Sequence, residues 1–250
     1  IYRCETEADA AYLRTLAAEY AANGYRFAYE EGINDAHGVL LTPDTAVPTL
    51  DAYNALATAS DADLDRIVDG VQQDFGFNPY MTGVYSESDG TRVYVEEERT
   101  LRVGTDGFVV YYDPVEKAEE TEPSPAERTA RIAEASRMAS EILSPYQGEA
   151  ELYLLDACYE PESRLFRVRF GAECGGLRIL TDRSYAAEFC FFGTQLCAAS
   201  VQLRTYRRTG GNTDIIPASQ ALAAASSRAG FGLFYRVTEE GVRAGWYVEG

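Results

Sequence analysis

Between Glu151 and Arg208 the chain keeps returning to an alternation of apolar and polar residues, in "ELYLLDACY", "RLFRVRFGA", "LRILT", "YAAEFCFF" and "ASVQLRTYRR", with turn signals at Pro161, Gly175 and Asp182. A period of two places successive side chains on opposite faces of a pleated strand. Such a stretch buries its apolar half only as a sheet with one face against a core. Shorter segments of the same kind, "GVYSE", "TRVYVEE", "TLRVG" and "FVVYYD", are separated by Asp89-Gly90 and Asp106-Gly107, dipeptides that favour hairpin turns. Two antiparallel meanders are expected.

Helical periodicity precedes each meander. "TEADAAYLRTLAAEYAAN", residues 6–23, sets Tyr12, Leu13, Leu16 and Tyr20 on one stripe and stops at Gly24. Ser60 with Asp61 and Asp63 opens a second helix, because a hydroxyl caps free amides and carboxylates favour the positive end of the dipole; Leu64, Ile67, Val68 and Val71 give it a buried side. Ser124, Pro125 and Glu127 form an N-cap, a first-turn proline and a reciprocal capping carboxylate, which predicts a helix to about Leu143 with Ile132, Met138, Ile142 and Leu143 inward. A last helix starts at Pro217 and stops near Gly230, and the strands "GLFYRV" and "RAGWYVE" close the second sheet. "GYRFAYEEG" alternates like a strand, whereas "VLLTPDTAVPTLDAYN" reads as irregular edge structure because of Pro43 and Pro48.

The acidic segment Asp113 to Glu127, with Pro114, Pro123 and Pro125, reads as a solvated connection. The 250 residues are therefore expected to form an α+β protein of two related units, 1–120 and 121–250, each a helix followed by an antiparallel β-meander. At 46% hydrophobic residues the chain has material for packed cores. No run of about 18 apolar residues occurs, so nothing in it is expected to span a membrane. It begins at Ile1 rather than Met, so either a leader was cleaved or the chain was trimmed, and something is expected upstream of Ile1.

Chemistry is harder to find. Forty acidic against 22 basic residues give a net charge of −18, which repels nucleic-acid phosphates. Lys117, the only lysine, sits in the connection and makes a poor Schiff-base or phosphate-gripping group. Cys4, Cys158, Cys174, Cys190 and Cys197 lack the paired spacings of zinc or redox motifs, and most fall in strand-like contexts where a thiol packs as a small hydrophobe; a disulfide from Cys190 to a neighbouring strand stays open. His37, the single histidine, stands in the loop "NDAHG" with no nucleophile elbow nearby. Glu96-Glu97-Glu98 and Glu119-Glu120 read as solvated faces, since neighbours on a strand point to opposite sides. Gly175-Gly176 precedes a strand, not a helix, and reads as a tight turn instead of a phosphate cradle. No catalytic, cofactor-binding or metal-binding residue is assigned, and no cofactor is expected. Tyr111, Tyr112, Arg204, Tyr206, Arg207 and Arg208 are the candidate binding surface, because tyrosine and arginine concentrate at interface centres.

"GGLRIL", a strand ending in basic and tyrosine-rich residues, "IPASQAL", "FYRV" and "AGWYVE", preceded by "AAYLRTLAAEYAANGYRFA" and "LTPDTAVPTLDAYN", together resemble the YycI-type extracytoplasmic regulators. Ala244-Gly245 stands before Trp246 where that family carries a proline, and the cysteines are not part of its pattern. The resemblance implies an N-terminal membrane anchor, a location outside the cytoplasm of a Gram-positive bacterium, and non-catalytic regulation of a cell-envelope sensor histidine kinase alongside a YycH-type protein. Two other readings are a secreted hydrolase using a carboxylate pair and a PepSY-like ligand- or protease-binding module, the latter favoured by an exposed sheet edge.

Overall fold

The computed structural model describes residues 45–56, 61–115, 122–216, 230–238 and 241–248, with the single positions Ala11, Thr15, Ala218 and Ala221. It divides into two compact units, one of residues 1–46 and 214–224, the other of residues 47–213 and 225–250. In the first, Ala11 and Thr15 are helical and the Thr15 hydroxyl donates to the Ala11 carbonyl at 3.0 Å; Ala218 and Ala221 are helical too. The remainder of the two helices expected there, the strand after the first, Cys4, His37, Lys117 and Glu119-Glu120 lie outside the described residues.

The second unit is mostly β, and the ends of β1 and β11, Thr45–Ala46 and Asp214–Ile215, fall in the first. In chain order its elements are β1 (Thr45–Asn54), α1 (Asp61–Asp74), β2 (Gly83–Ser86), β3 (Arg92–Glu96), β4 (Arg99–Val103), β5 (Phe108–Tyr112), α2 (Pro125–Leu143), β6 (Glu151–Glu160), β7 (Leu165–Cys174), β8 (Leu177–Leu180), β9 (Ala187–Phe192), β10 (Gln195–Gln202), β11 (Arg204–Ile215), β12 (Phe231–Thr238) and β13 (Gly241–Val248). Strands β1 and β11 pair as a separate ribbon, so the part of the proline-bearing segment from Thr45 to Asn54 is a strand, in which Pro48 offers its carbonyl to the Tyr235 hydroxyl at 2.7 Å; Pro43 lies outside the described residues. The other strands form one sheet of eleven in the order β13-β12-β8-β7-β9-β10-β5-β4-β3-β2, with β6 along the remaining side of β7. The pairing is antiparallel except between β12 and β8, which run parallel.

The expected α+β pair of helix-plus-meander units is therefore corrected to one mixed sheet with two described helices. The joint is β5 against β10, Val109 opposite Val201 and Tyr111 opposite Ala199. Ending the first meander at β5 would leave its backbone amides and carbonyls unpaired; pairing with β10 satisfies them and brings two apolar faces into line. One row of inward residues then runs Val168, Phe189, Ala199, Tyr111, Leu101, Tyr94, each opposite the next on the neighbouring strand. A parallel row runs Phe170, Ala187, Val201, Val109, Val103.

Both helices cover this face. The N-terminus of α2 has the predicted capping box: Ser124 accepts from the Glu127 amide at 3.4 Å and its own amide donates to Glu127 Oε2 at 2.7 Å. The helix ends at Leu143 and buries Met138, Ile142 and Leu143, as its spacing predicts. Helix α1 buries Ile67, Val68 and Val71 in the same core, where Phe189, Val109 and Leu101 are fully enclosed. Each such side chain contributes about 1.5–3 kcal/mol of transfer free energy. Among the described residues no helix is long and apolar enough to cross a membrane.

Candidate functional site

Since alternate residues of β6, β7, β9 and β10 face the helices, the residues between them face the other way, and here the ladder is charged. Asp156 stands opposite Arg169, Arg169 opposite Glu188, and Glu188 opposite Ser200. Arg169 Nε donates to Glu188 Oε2 at 2.6 Å and Nη1 lies 3.6 Å from Asp156 Oδ2, with the guanidinium 5.8 Å from the Tyr185 ring. Arg167 adds a pair to Glu160 at 2.5 Å and approaches Glu188 at 3.4 Å. Burial works against the charge of Arg169, but Glu188 and Asp156 outweigh it and hold the guanidinium above its ordinary value.

Next to this ladder, a cleft of about 830 Å³ opens toward the β8–β9 loop and β12. Tyr153, Asp156, Arg169, Thr181, Arg183 and Arg236 line it. Asp156 Oδ1 and Thr181 Oγ1 are buried there without a hydrogen-bond partner. Arg183 stacks 3.6 Å above the Phe108 ring and Arg236 lies 5.0 Å from the Tyr247 ring, and neither has an ion pair among the described residues. Tyr153 lies flat over Gly171, where a Cβ would overlap its ring, and Arg178 stacks on Tyr153 at 5.0 Å. No sequence motif marks this cleft. Its signal is an excess of charge at outward strand positions, Asp156, Arg167, Arg169 and Glu188, whose inward neighbours are apolar.

A second feature is the end of the sheet. Strand β2 pairs only with β3 among the described residues, and all four of its residues are exposed. The Glu87 amide donates to the Thr91 carbonyl at 2.9 Å, which makes that pair hydrogen-bonded. By the alternation of antiparallel ladders, Val84 and Ser86 then turn their own N–H and C=O groups outward. Tyr80, Met81, Val84 and Tyr85 are all exposed, Tyr80 at 96%, and no charge occurs from Pro79 to Ser86. Acid residues flank the edge: Asp89 beyond one end, Glu97 and Glu98 in the β3–β4 turn at the other.

The residues singled out by sequence separate. Tyr111 is core, stacked on Phe75 at 4.8 Å and pushed up to about 12, first by burial and then by Asp113. Tyr206 is buried in a second apolar cluster, where burial also pushes it to about 12. Tyr112, Arg207 and Arg208 are exposed and Arg204 is half-buried; Arg208 pairs with Glu149 at 3.7 Å. These six residues do not form one surface. Glu96 points inward to accept from the Asn78 amide at 2.9 Å and to pair with Arg99 at 3.1 Å, so it does not join Glu97 and Glu98 as a carboxylate pair. Asp74, whose carboxyl is raised by burial and by Glu141, ends α1 and does not line the cleft.

Gly175 and Gly176 form the two-residue turn between β7 and β8, both with positive φ (60° and 79°), a conformation that glycine adopts without steric cost. No disulfide joins Cys158, Cys174, Cys190 and Cys197 to one another. The Cys197 thiol donates to the Cys190 carbonyl at 3.2 Å, and burial, with the nearby Glu188 and Cys197, pushes the Cys190 thiol up to about 11. A thiol so raised stays protonated and is inert as a nucleophile at neutral pH.

No protein-family model and no curated protein matches the chain. Among solved structures, it is similar to the crystal structure of an uncharacterized protein from Eubacterium rectale ATCC 33656, with 12% identity, a TM-score of 0.48, and coverage of 80% of this chain and 75% of that one.

Proposed function

We propose that this chain is a non-catalytic interaction domain that grips an extended segment of a partner protein along the outer edge of β2. The observation that carries the reading is an edge left unguarded among the described residues: outward N–H and C=O groups at Val84 and Ser86, close in sequence to exposed Tyr80, Met81 and Tyr85. Natural edges are usually blunted by charge, proline or a cover, and an added strand gains main-chain hydrogen bonds while its alternate side chains meet the apolar ones. The acids at both ends of β2, on a chain of net charge −18, favour a segment with basic flanks over a second copy of this chain.

The setting proposed for the contact is the one the C-terminal motifs suggest: an ectodomain tethered by an N-terminal anchor outside the cytoplasm, biasing a sensor histidine kinase in company with a YycH-type protein. The same edge supports a second reading, a PepSY-like module that binds a peptide or protease strand.

Val84→Pro separates docking from folding, because the amide it removes points away from β3. With an alternating peptide flanked by lysines (Lys-Thr-Val-Thr-Val-Thr-Lys), the amides of Val84 and Ser86 should shift in NMR spectra, and the substitution should weaken binding about tenfold or more. Equal affinity of the two proteins would sink the edge reading. Co-purification of the anchored gene product with a sensor kinase, lost in the same variant, is expected if the setting is right.

A further inference from the structure

We infer that the cleft on the charged face binds the carboxyl-terminal end of a peptide, with the terminal carboxylate on Arg183 and Arg236 and an adjacent N–H on Asp156. The first reason is the state of the three arginines. Arg169 is engaged by Glu188 and Asp156, whereas Arg183 and Arg236 rest on aromatic rings. Stacking holds a guanidinium by its flat face and leaves its N–H fork free for a planar anion.

The second reason is the orphaned oxygens. Asp156 has one carboxylate oxygen near Arg169 and the other, Oδ1, buried without a donor; Thr181 Oγ1, which also lines the cleft, is likewise buried without a partner. Buried acceptors of this kind are normally satisfied, so they mark where a ligand N–H belongs. A ligand that offers an anion to the arginines and a donor to Asp156 carries both within a few atoms, as the last residue of a peptide does.

The third reason is discrimination among anions. Asp156 and Asp182 also line the cleft and repel a doubly charged phosphate more than a singly charged carboxylate. The volume of about 830 Å³ lies well inside the range of sites that enclose drug-sized ligands, which gives room for several residues rather than one amino acid. Tyr153, held flat over Gly171 beneath Arg178, offers an apolar wall for the final side chain.

The test uses the 250-residue chain and calorimetric titration with N-acetyl-Ala-Thr-Val-Leu as the free acid, its C-terminal amide, and inorganic phosphate. The acid should bind. The amide should bind about tenfold or more weakly, and Arg183→Ala or Arg236→Ala should weaken the acid by a similar factor without lowering the melting temperature, since both side chains are exposed. Arg236→Lys should recover only part of the loss, as an ammonium lacks the planar fork. Val84→Pro should leave this binding unchanged, so the cleft and the edge stand or fall separately. Equal binding of acid and amide, no binding of either, or displacement of the acid by stoichiometric phosphate would each overturn the inference.

Discussion

Asp74 ends α1, where the helix dipole is itself negative and no basic residue stands in the last turn. Burial, with the charge of Glu141 on α2, raises its carboxyl above the ordinary value. A carboxyl whose folded pKa exceeds its unfolded one favours folding while protonated. Its contribution is fully present below the unfolded pKa and is lost as pH rises through the raised folded value. Asp74→Asn should therefore increase stability at pH 7 and flatten this part of the pH dependence, as measured by urea denaturation at several pH values. The gain should be small and should shrink in salt, because the group is largely solvated. This burden cannot be read from the sequence, since Glu141 meets Asp74 only once two helices pack. The capping box at Ser124 was legible for the opposite reason: its partners lie three residues apart and need nothing from the remainder of the fold.

Among the elements, β7 shows what periodicity does and does not determine. Its inward residues Phe166, Val168 and Phe170 follow directly from alternation, and so do the hairpin turns at Gly90, Gly107 and Gly175-Gly176. Strand partners are another matter. β7 takes β6 along one side and both β9 and β8 along the other, and β12 joins β8 in parallel from more than fifty residues away. Alternation is blind to such choices because any strand of the same period offers the same face. The cleft was hidden for that reason: Asp156, Arg169, Arg183 and Arg236 converge only through these pairings. Within β7, Gly171 makes room for Tyr153. Gly171→Ala should push that ring off the sheet and cost roughly 1–2 kcal/mol, and Tyr153→Ala in the same chain should absorb much of the cost, giving a non-additive double-mutant cycle in thermal denaturation.

At the scale of the whole sheet, the seam between β5 and β10 predicts that the unit of residues 47–213 and 225–250 unfolds in one event, where separate sheets on either side of the seam would give two. Fluorescence of the single tryptophan, Trp246 on β13 and stacked on Phe231 at 5.6 Å, should change at the same urea concentration at which the amides of β3 and β4 lose protection from exchange. Separate midpoints would mean that the core rows do not couple across the seam. The edge of β2, unpaired among the described residues, has a further consequence, for solubility. A strand without its own guard is an invitation to open-ended stacking of one molecule on another, and here the remainder of the chain supplies the deterrent through mutual repulsion between bodies of charge −18. That deterrent reaches about 10 Å at 0.1 M salt and about 3 Å at 1 M. Dissolved ions, more than any residue of β2, decide whether this protein stays dispersed while its edge is vacant.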